Sequence, residues 1–306
     1  MKIRANGIDI HYQVEGSGPW LTLSHSLATD HTMWAPQMAA LTPHFTVLRF
    51  DTRGHGRSSA PPGAYTWEML RDDALGLLDA LGVEKTHFVG LSMGGMIAQH
   101  LALAAPGRID RLVLADTSSR YPAAAAAQWQ ERIELVREKG MAALEAGTLE
   151  RWFTTPYRAA HPEVMARIGA LIRATPANGY IGCAHAIPTI DLAERLGELR
   201  APTLVIAGAE DAGTPPEIAR EIAGRIPGAH LEIIPEASHL TNVEQTPDAT
   251  HGFAVPSQNV MVSLDPGETT TVEFVADKPG SFSFYCTEFC SALHLEMQGW
   301  LIVEPK

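Results

Sequence analysis

Residues 86–102 read Thr86-His87-Phe88-Val89-Gly90-Leu91-Ser92-Met93-Gly94-Gly95-Met96-Ile97-Ala98-Gln99-His100-Leu101-Ala102. A short run of strand-forming residues enters Gly90-Leu91-Ser92-Met93-Gly94, and an apolar run with helical character leaves it. A Gly-x-Ser-x-Gly between a strand and a helix is a nucleophile elbow, a turn so tight that only small residues fit on either side of the serine. Ser92 is thereby presented as a nucleophile, held in a strained backbone conformation at the top of a sheet.

Working outward, apolar or β-branched runs recur at 8–14, 20–24, 46–50, 87–89, 111–115, 203–207 and 230–234, separated by helical stretches. Such alternation predicts a mostly parallel sheet covered by helices, an α/β fold. Strand signals vanish between Asp116 and Leu199, where Ala, Glu and Leu dominate and Pro156, Pro162 and Pro176 act as breaks. A helical cap over the sheet is expected at about 118–199.

A serine of ordinary pKa is a poor nucleophile, so the elbow needs a base and a group to orient that base. His239 follows the last predicted strand of this sheet and Asp211 follows the one before it. Loops beyond the carboxyl ends of parallel strands are where such sheets place their sites, and Ser92, Asp211, His239 is the chain order that accompanies an elbow. Glu210, next to Asp211, and Asp116, after the 111–115 strand, are rivals for the acid. Acyl chemistry also needs donors aimed at the developing oxyanion. The backbone N–H of Met93 and that of Leu27, in the loop after the 20–24 strand, are the candidates.

With 306 residues the chain has room for one large domain or for two modules, and its net charge of -12 disfavours nucleic acid and anionic membrane as partners. No apolar run is long enough to span a bilayer, and Met1-Lys2-Ile3-Arg4-Ala5-Asn6-Gly7 has no signal-peptide pattern, so a cytoplasmic protein acting on a small molecule is expected. No cofactor is expected for the hydrolytic chemistry.

Residues 1–247 resemble 3-oxoadipate enol-lactonase, a family of the α/β-hydrolase fold. The matching segments are Ser24-His25-Ser26-Leu27-Ala28-Thr29-Asp30, Met33-Trp34, Arg49-Phe50-Asp51-Thr52-Arg53-Gly54-His55-Gly56, the elbow, Arg151-Trp152-Phe153-Thr154 and His239-Leu240-Thr241-Asn242-Val243-Glu244. The resemblance implies opening of an enol-lactone through an acyl-enzyme and a substrate-contacting role for Trp152. Because that substrate carries a carboxylate, Arg151 or Arg158 in the cap could pair with it. General esterases and cofactor-free haloperoxidases share the scaffold and remain alternatives. The family continues past Glu244 into a final helix, which this sequence is expected to lack.

Near Ala249 the composition changes. No arginine follows Arg225, five of the nine phenylalanines lie beyond residue 250, and alternating runs separated by Asp265-Pro266-Gly267 and Lys278-Pro279-Gly280 predict strands and turns. Cys286, Glu288, Cys290, His294 and Met297 stand at close spacing, with His251 upstream. Soft sulfur with imidazole suits copper, and paired thiolates can bridge two metal ions. The segment resembles the dinuclear copper A loop of nitrous oxide reductase and cytochrome oxidase subunit II. That likeness implies His251, Cys286, Glu288 (through its carbonyl), Cys290, His294 and Met297 as ligands, and an electron-transfer partner where the centre forms. Only the last part of the family's cupredoxin sandwich is matched, so 248–306 is expected to be a partial all-β segment. The chain reads as a chimera of two truncated domains rather than a selected fusion.

Overall fold

The computed structural model describes residues 1–244 and four strands beyond them, His251–Val255, Val260–Leu264, Gly280–Tyr285 and Gln298–Val303. The chain divides into two compact units, Met1–Glu244 and Gln245–Lys306.

Eight strands build the sheet of the first unit: β1 (Lys2–Ala5), β2 (Ile8–Gly16), β3 (Trp20–Ser24), β4 (Thr46–Phe50), β5 (Thr86–Leu91), β6 (Ile109–Ala115), β7 (Thr203–Gly208) and β8 (His230–Ile234). Their order is β1-β2-β4-β3-β5-β6-β7-β8. The pairs β1–β2 and β2–β4 are antiparallel, and from β4 to β8 all neighbours run parallel. Every residue of β7 is buried, as expected for a strand covered by helices on both faces. The first strand was not expected from composition; its antiparallel turn is Asn6-Gly7, with φ of 43° and 77°, the left-handed pair that closes a two-residue hairpin.

Helix Met93–Ala104 is apolar almost all round and correspondingly buried, a central helix rather than a surface one. Helix Trp67–Ala80 is amphipathic instead. Thr66 caps it by accepting from the Met69 N–H, and it buries Trp67, Leu70, Ala74, Leu77 and Leu78 at helical spacing. Between β6 and β7 lies the cap, whose helices include Ala125–Lys139, Glu145–Trp152, Thr155–Ala160, Pro162–Ala174 and Ala177–Ala186. Among the described residues no helix is long and apolar enough to cross a membrane.

The second unit is described as a four-stranded antiparallel sheet: β9 (His251–Val255), β10 (Val260–Leu264), β11 (Gly280–Tyr285) and β12 (Gln298–Val303), in the order β10-β9-β11-β12. Tyr285 pairs with both Gln298 and Ala254, so the end of β11 lies between the start of β12 and β9. Cys286, Glu288, Cys290, His294 and Met297 fall outside the described residues, and His251 opens β9.

Candidate active site

Ser92 has φ 54° and ψ −115°, a strained conformation at the junction of β5 and the Met93–Ala104 helix. Its backbone N–H is held by Ala115 O at 2.8 Å, and its carbonyl accepts from Thr117 Oγ1 at 2.7 Å. The flanking glycines are required by close approach. A Cβ on Gly90 would lie 2.3 Å from Gly94 O, and one on Gly94 would lie 2.2 Å from Ser24 O.

From Ser92 Oγ, 2.9 Å separate the serine from His239 Nε2, and His239 Nδ1 lies 2.7 Å from Asp211 Oδ2. His239 is set on the loop after β8, and Asp211 on the loop after β7. Asp211 also accepts from Gly213 N–H (2.7 Å), Thr214 N–H (3.0 Å) and Thr214 Oγ1 (2.6 Å). Burial alone would raise the Asp211 carboxyl, but the His239 ring and these donors hold it below its ordinary value. Burial, the largest single influence, lowers His239, but the Asp211 charge and hydrogen bond and the Asp116 carboxyl together outweigh it, leaving the imidazole above the usual histidine value. Of the rival acids, Glu210 presents its backbone carbonyl to Ser238 Oγ, while Asp116 is buried behind the pair.

Leu27 and Met93 are both buried, and neither backbone N–H has an acceptor among the described residues. The loop carrying Leu27 is fixed by two histidines that the motif reading left without a role. His55 Nε2 accepts the Ala28 N–H at 3.1 Å while its Nδ1 donates to Arg53 O at 3.2 Å. His25 Nδ1 donates to Ser26 O at 2.7 Å while its Nε2 accepts the Thr52 N–H at 2.9 Å. Each ring is thereby held as one neutral tautomer. Burial lowers both, His55 to about 3. Ala28 itself sits at φ 60°, so the loop is strained as well as tied.

A cavity of about 440 Å³ opens above Ser92 and His239 and is lined on the cap side by Tyr121, Trp129, Arg132, Arg151, Trp152 and Tyr180. Trp152 stacks near His239 with ring centroids 6.2 Å apart, and its carbonyl accepts the backbone N–H groups of His239 and Leu240. Glu244 fastens the same contact, its buried carboxylate accepting the N–H groups of Thr154 and Ser238. Cap and histidine loop are therefore one hydrogen-bonded assembly. Arg158 lies outside the cavity lining and bonds Thr155 Oγ1.

Arg132 was not anticipated. Its guanidinium lies 4.8 Å from the centroid of Trp129, and Arg151 bonds only Thr148 Oγ1, so neither meets a carboxylate among the described residues. Burial and the neighbouring Arg132 charge lower the Arg151 pKa. An anionic group in the cavity would relieve that repulsion. One of two arginines in a Glu-rich helix at 125–139, Arg132 has the sequence signature of an ordinary solvated residue.

A second buried cluster comprises His11, His31 and Asp51, whose candidate ligand atoms lie within 4.8 Å of one another. Asp51 is already supplied with donors: His31 Nδ1 (2.6 Å), His31 N–H (2.9 Å) and Arg57 N–H (2.9 Å). The cluster serves as a tie that fixes the turn after β4.

Residues 19–246 match the family model for the alpha/beta hydrolase fold, and residues 226–304 match that for the cytochrome C oxidase subunit II periplasmic domain. The 3-oxoadipate enol-lactonase 2 of Acinetobacter baylyi is 35% identical over 251 residues, which are 81% of this chain and 93% of that protein. An enol-lactonase from Burkholderia xenovorans superposes with a TM-score of 0.77 at 42% identity, over 80% of this chain and 94% of that one. A thermophilic esterase from Thermogutta terrifontis superposes with a TM-score of 0.77 at 32% identity, covering 80% and 93%.

Proposed function

The chain belongs to the α/β-hydrolase fold family, and from that premise we propose that its first unit is a serine hydrolase opening a carboxylate-bearing lactone of the 3-oxoadipate enol-lactone kind. The observation that supports this reading is the meeting of Ser92, His239 and Asp211 beneath a cavity that also holds two arginines without carboxylate partners among the described residues. Ser92 Oγ attacks the lactone carbonyl while His239 Nε2 takes its proton, and the tetrahedral oxyanion accepts from the Leu27 and Met93 N–H groups. The ring C–O bond then breaks and the leaving enolate takes the proton from His239 Nε2, which returns the imidazole to its neutral form. Enolate is a good leaving group and stays tethered to the acyl chain, so the acyl-enzyme carries the whole substrate. Water deprotonated by His239 attacks that ester, the acyl–Oγ bond breaks, and Ser92 recovers its proton as the dicarboxylate departs. Throughout, Asp211 holds the imidazole and stabilises its protonated form.

Hydrolysis of a carboxylated enol-lactone and of its neutral methyl ester, measured side by side, tests the reading. Arg132→Gln and Arg151→Gln should each raise KM for the acid by about 10- to 100-fold, the loss of one charge-assisted hydrogen bond. The neutral ester should be hardly affected. Equal losses on both substrates would assign the arginines to structure alone, and preference of wild type for the neutral ester would favour a general esterase.

Catalysis needs neutral His239, and the raised imidazole pKa sets the sign of the pH dependence. As pH falls, kcat/KM should drop through a midpoint above roughly 6.5, the ordinary histidine value. A midpoint at or below 6 would contradict the Asp211 pairing.

For the second unit we infer a copper-binding reading, supported by the match at 226–304 and by the pairing of Tyr285 with Gln298 and Ala254, the last in the strand that His251 opens. Cys286, Cys290, His251, His294, Met297 and the Glu288 carbonyl would hold the copper, which would supply one-electron transfer. Two equivalents of copper binding with a purple mixed-valence spectrum, lost in Cys286→Ser, would support it. Failure of the reduced full chain to bind two equivalents would exclude it. The joining of these two readings in one chain is best described as a chimera.

A further inference from the structure

Asp116 has no part in the mechanism above, yet it sits in the middle of the parts that carry it. It directly follows β6 with φ 46°, a left-handed conformation unusual for aspartate, and its side chain is fully buried. Its own N–H bonds Ile206 O at 2.9 Å, its Oδ1 accepts the Gly208 N–H at 2.9 Å, and its Oδ2 lies 2.5 Å from Thr241 Oγ1. Gly208 closes β7 just before Asp211, and Thr241 follows His239 by two residues. One carboxyl group thus ties the end of β6, which also anchors Ser92 through Ala115 O, to the loops carrying the other two reacting partners.

The donor inventory separates the two buried acids. Asp211 is met by four donors, including the His239 ring, and is built to be a carboxylate. Asp116 has one backbone N–H and one hydroxyl, and no Lys or Arg pairs with it among the described residues. The titratable groups facing it are Asp211 from the β7 loop and His239 from the β8 loop.

We propose that Asp116 is a positioning residue that acts as a neutral carboxylic acid, its O–H donating to Thr241 Oγ1 and its other oxygen accepting from Gly208, so that the serine, acid and histidine loops keep one geometry. This inference rests on the serine-hydrolase reading. Burial first, and the Asp211 charge second, push the Asp116 carboxyl up to about 8, in keeping with a neutral group at the pH where His239 titrates.

The test compares Asp116→Asn and Asp116→Ala with wild type in the full chain. The amide keeps the size and neutrality of the acid, so Asp116→Asn should lower kcat by no more than about fivefold and leave the acid midpoint of kcat/KM within about 0.3 of wild type. Asp116→Ala should lower kcat by about 10- to 100-fold with KM little changed, as misplacement of a general base does. An ionised Asp116 predicts otherwise: removing its charge would lower the His239 midpoint by about one unit or more. That shift, a loss above about 10³-fold in Asp116→Asn, or a wild-type kcat in Asp116→Ala would overturn the proposal.

Thermal melts supply a readout that needs no activity. An aspartate ionised when unfolded above about 3.9 but protonated when folded takes up a proton on folding, so its contribution becomes less favourable as pH rises toward the folded value. The Tm of Asp116→Asn relative to wild type should therefore grow from about pH 5 to about pH 8. A constant difference would overturn the neutral assignment. Failure of the underlying hydrolase reading would show separately, as hydrolysis surviving Ser92→Ala.

Discussion

Ser92→Ala is expected to lower kcat about 10⁶-fold while substrate still binds with KM changed only a few-fold. The alanine keeps the Cβ of the elbow and inherits the same φ of 54°, so the backbone strain is unchanged and the fold should melt within about 1 kcal/mol of wild type. What disappears is Oγ, the atom 2.9 Å from His239 Nε2 that forms an ester with the substrate. Residual turnover would come from the Leu27 and Met93 donors acting on direct attack by water. Stopped-flow hydrolysis of the enol-lactone and mass spectrometry of a fluorophosphonate-treated sample check it together. Wild type should gain one adduct, located at Ser92, and the variant none. Retention of more than about a tenth of the wild-type rate would sink the nucleophile assignment, since no triad serine is dispensable to that degree.

The site was legible in sequence to the extent that its groups sit at strand ends. Gly90 and Gly94 declare a turn that nothing larger could occupy, and Asp211 and His239 follow strand-forming runs, the first fully buried and the second a half-buried edge strand. Chain order then supplied the pairing. Three features were beyond reach for physical reasons. Arg132 reaches the cavity only because the cap folds back over the sheet, and the tertiary placement of a cap helix has no local signature. His25 and His55 resemble surface polar residues in a list of thirteen histidines, and become tethers only when the Ala28 and Thr52 N–H groups arrive from two segments. Asp211 was favoured over Asp116 by chain order alone, because the number of donors around each carboxylate is set by tertiary structure. By contrast β1 was readable: Asn6-Gly7 is a hairpin signal, overshadowed by the short and partly charged Lys2–Ala5 run before it.

Asp211→Asn should lower kcat/KM by about 10⁴-fold, a loss in the chemical step rather than in binding. The amide can still accept the Gly213 and Thr214 N–H groups through Oδ1, so the loop has every reason to keep its course. At the other position, an NH₂ replaces the oxygen that lies 2.7 Å from His239 Nδ1. Nδ1 must then accept, which moves the ring proton to Nε2, the atom required to take the proton of Ser92. The substitution also removes the charge that holds the imidazole above its ordinary value, so the acid midpoint of the remaining activity should move down by about a unit. The loss of rate and the shift of midpoint arise from the same carboxylate and should appear together, in pH profiles of single-turnover rates. If Asp211→Asn costs less than about tenfold, while Asp116→Asn costs about 10³-fold or more, the orienting acid is Asp116 and the roles given to these two residues are exchanged.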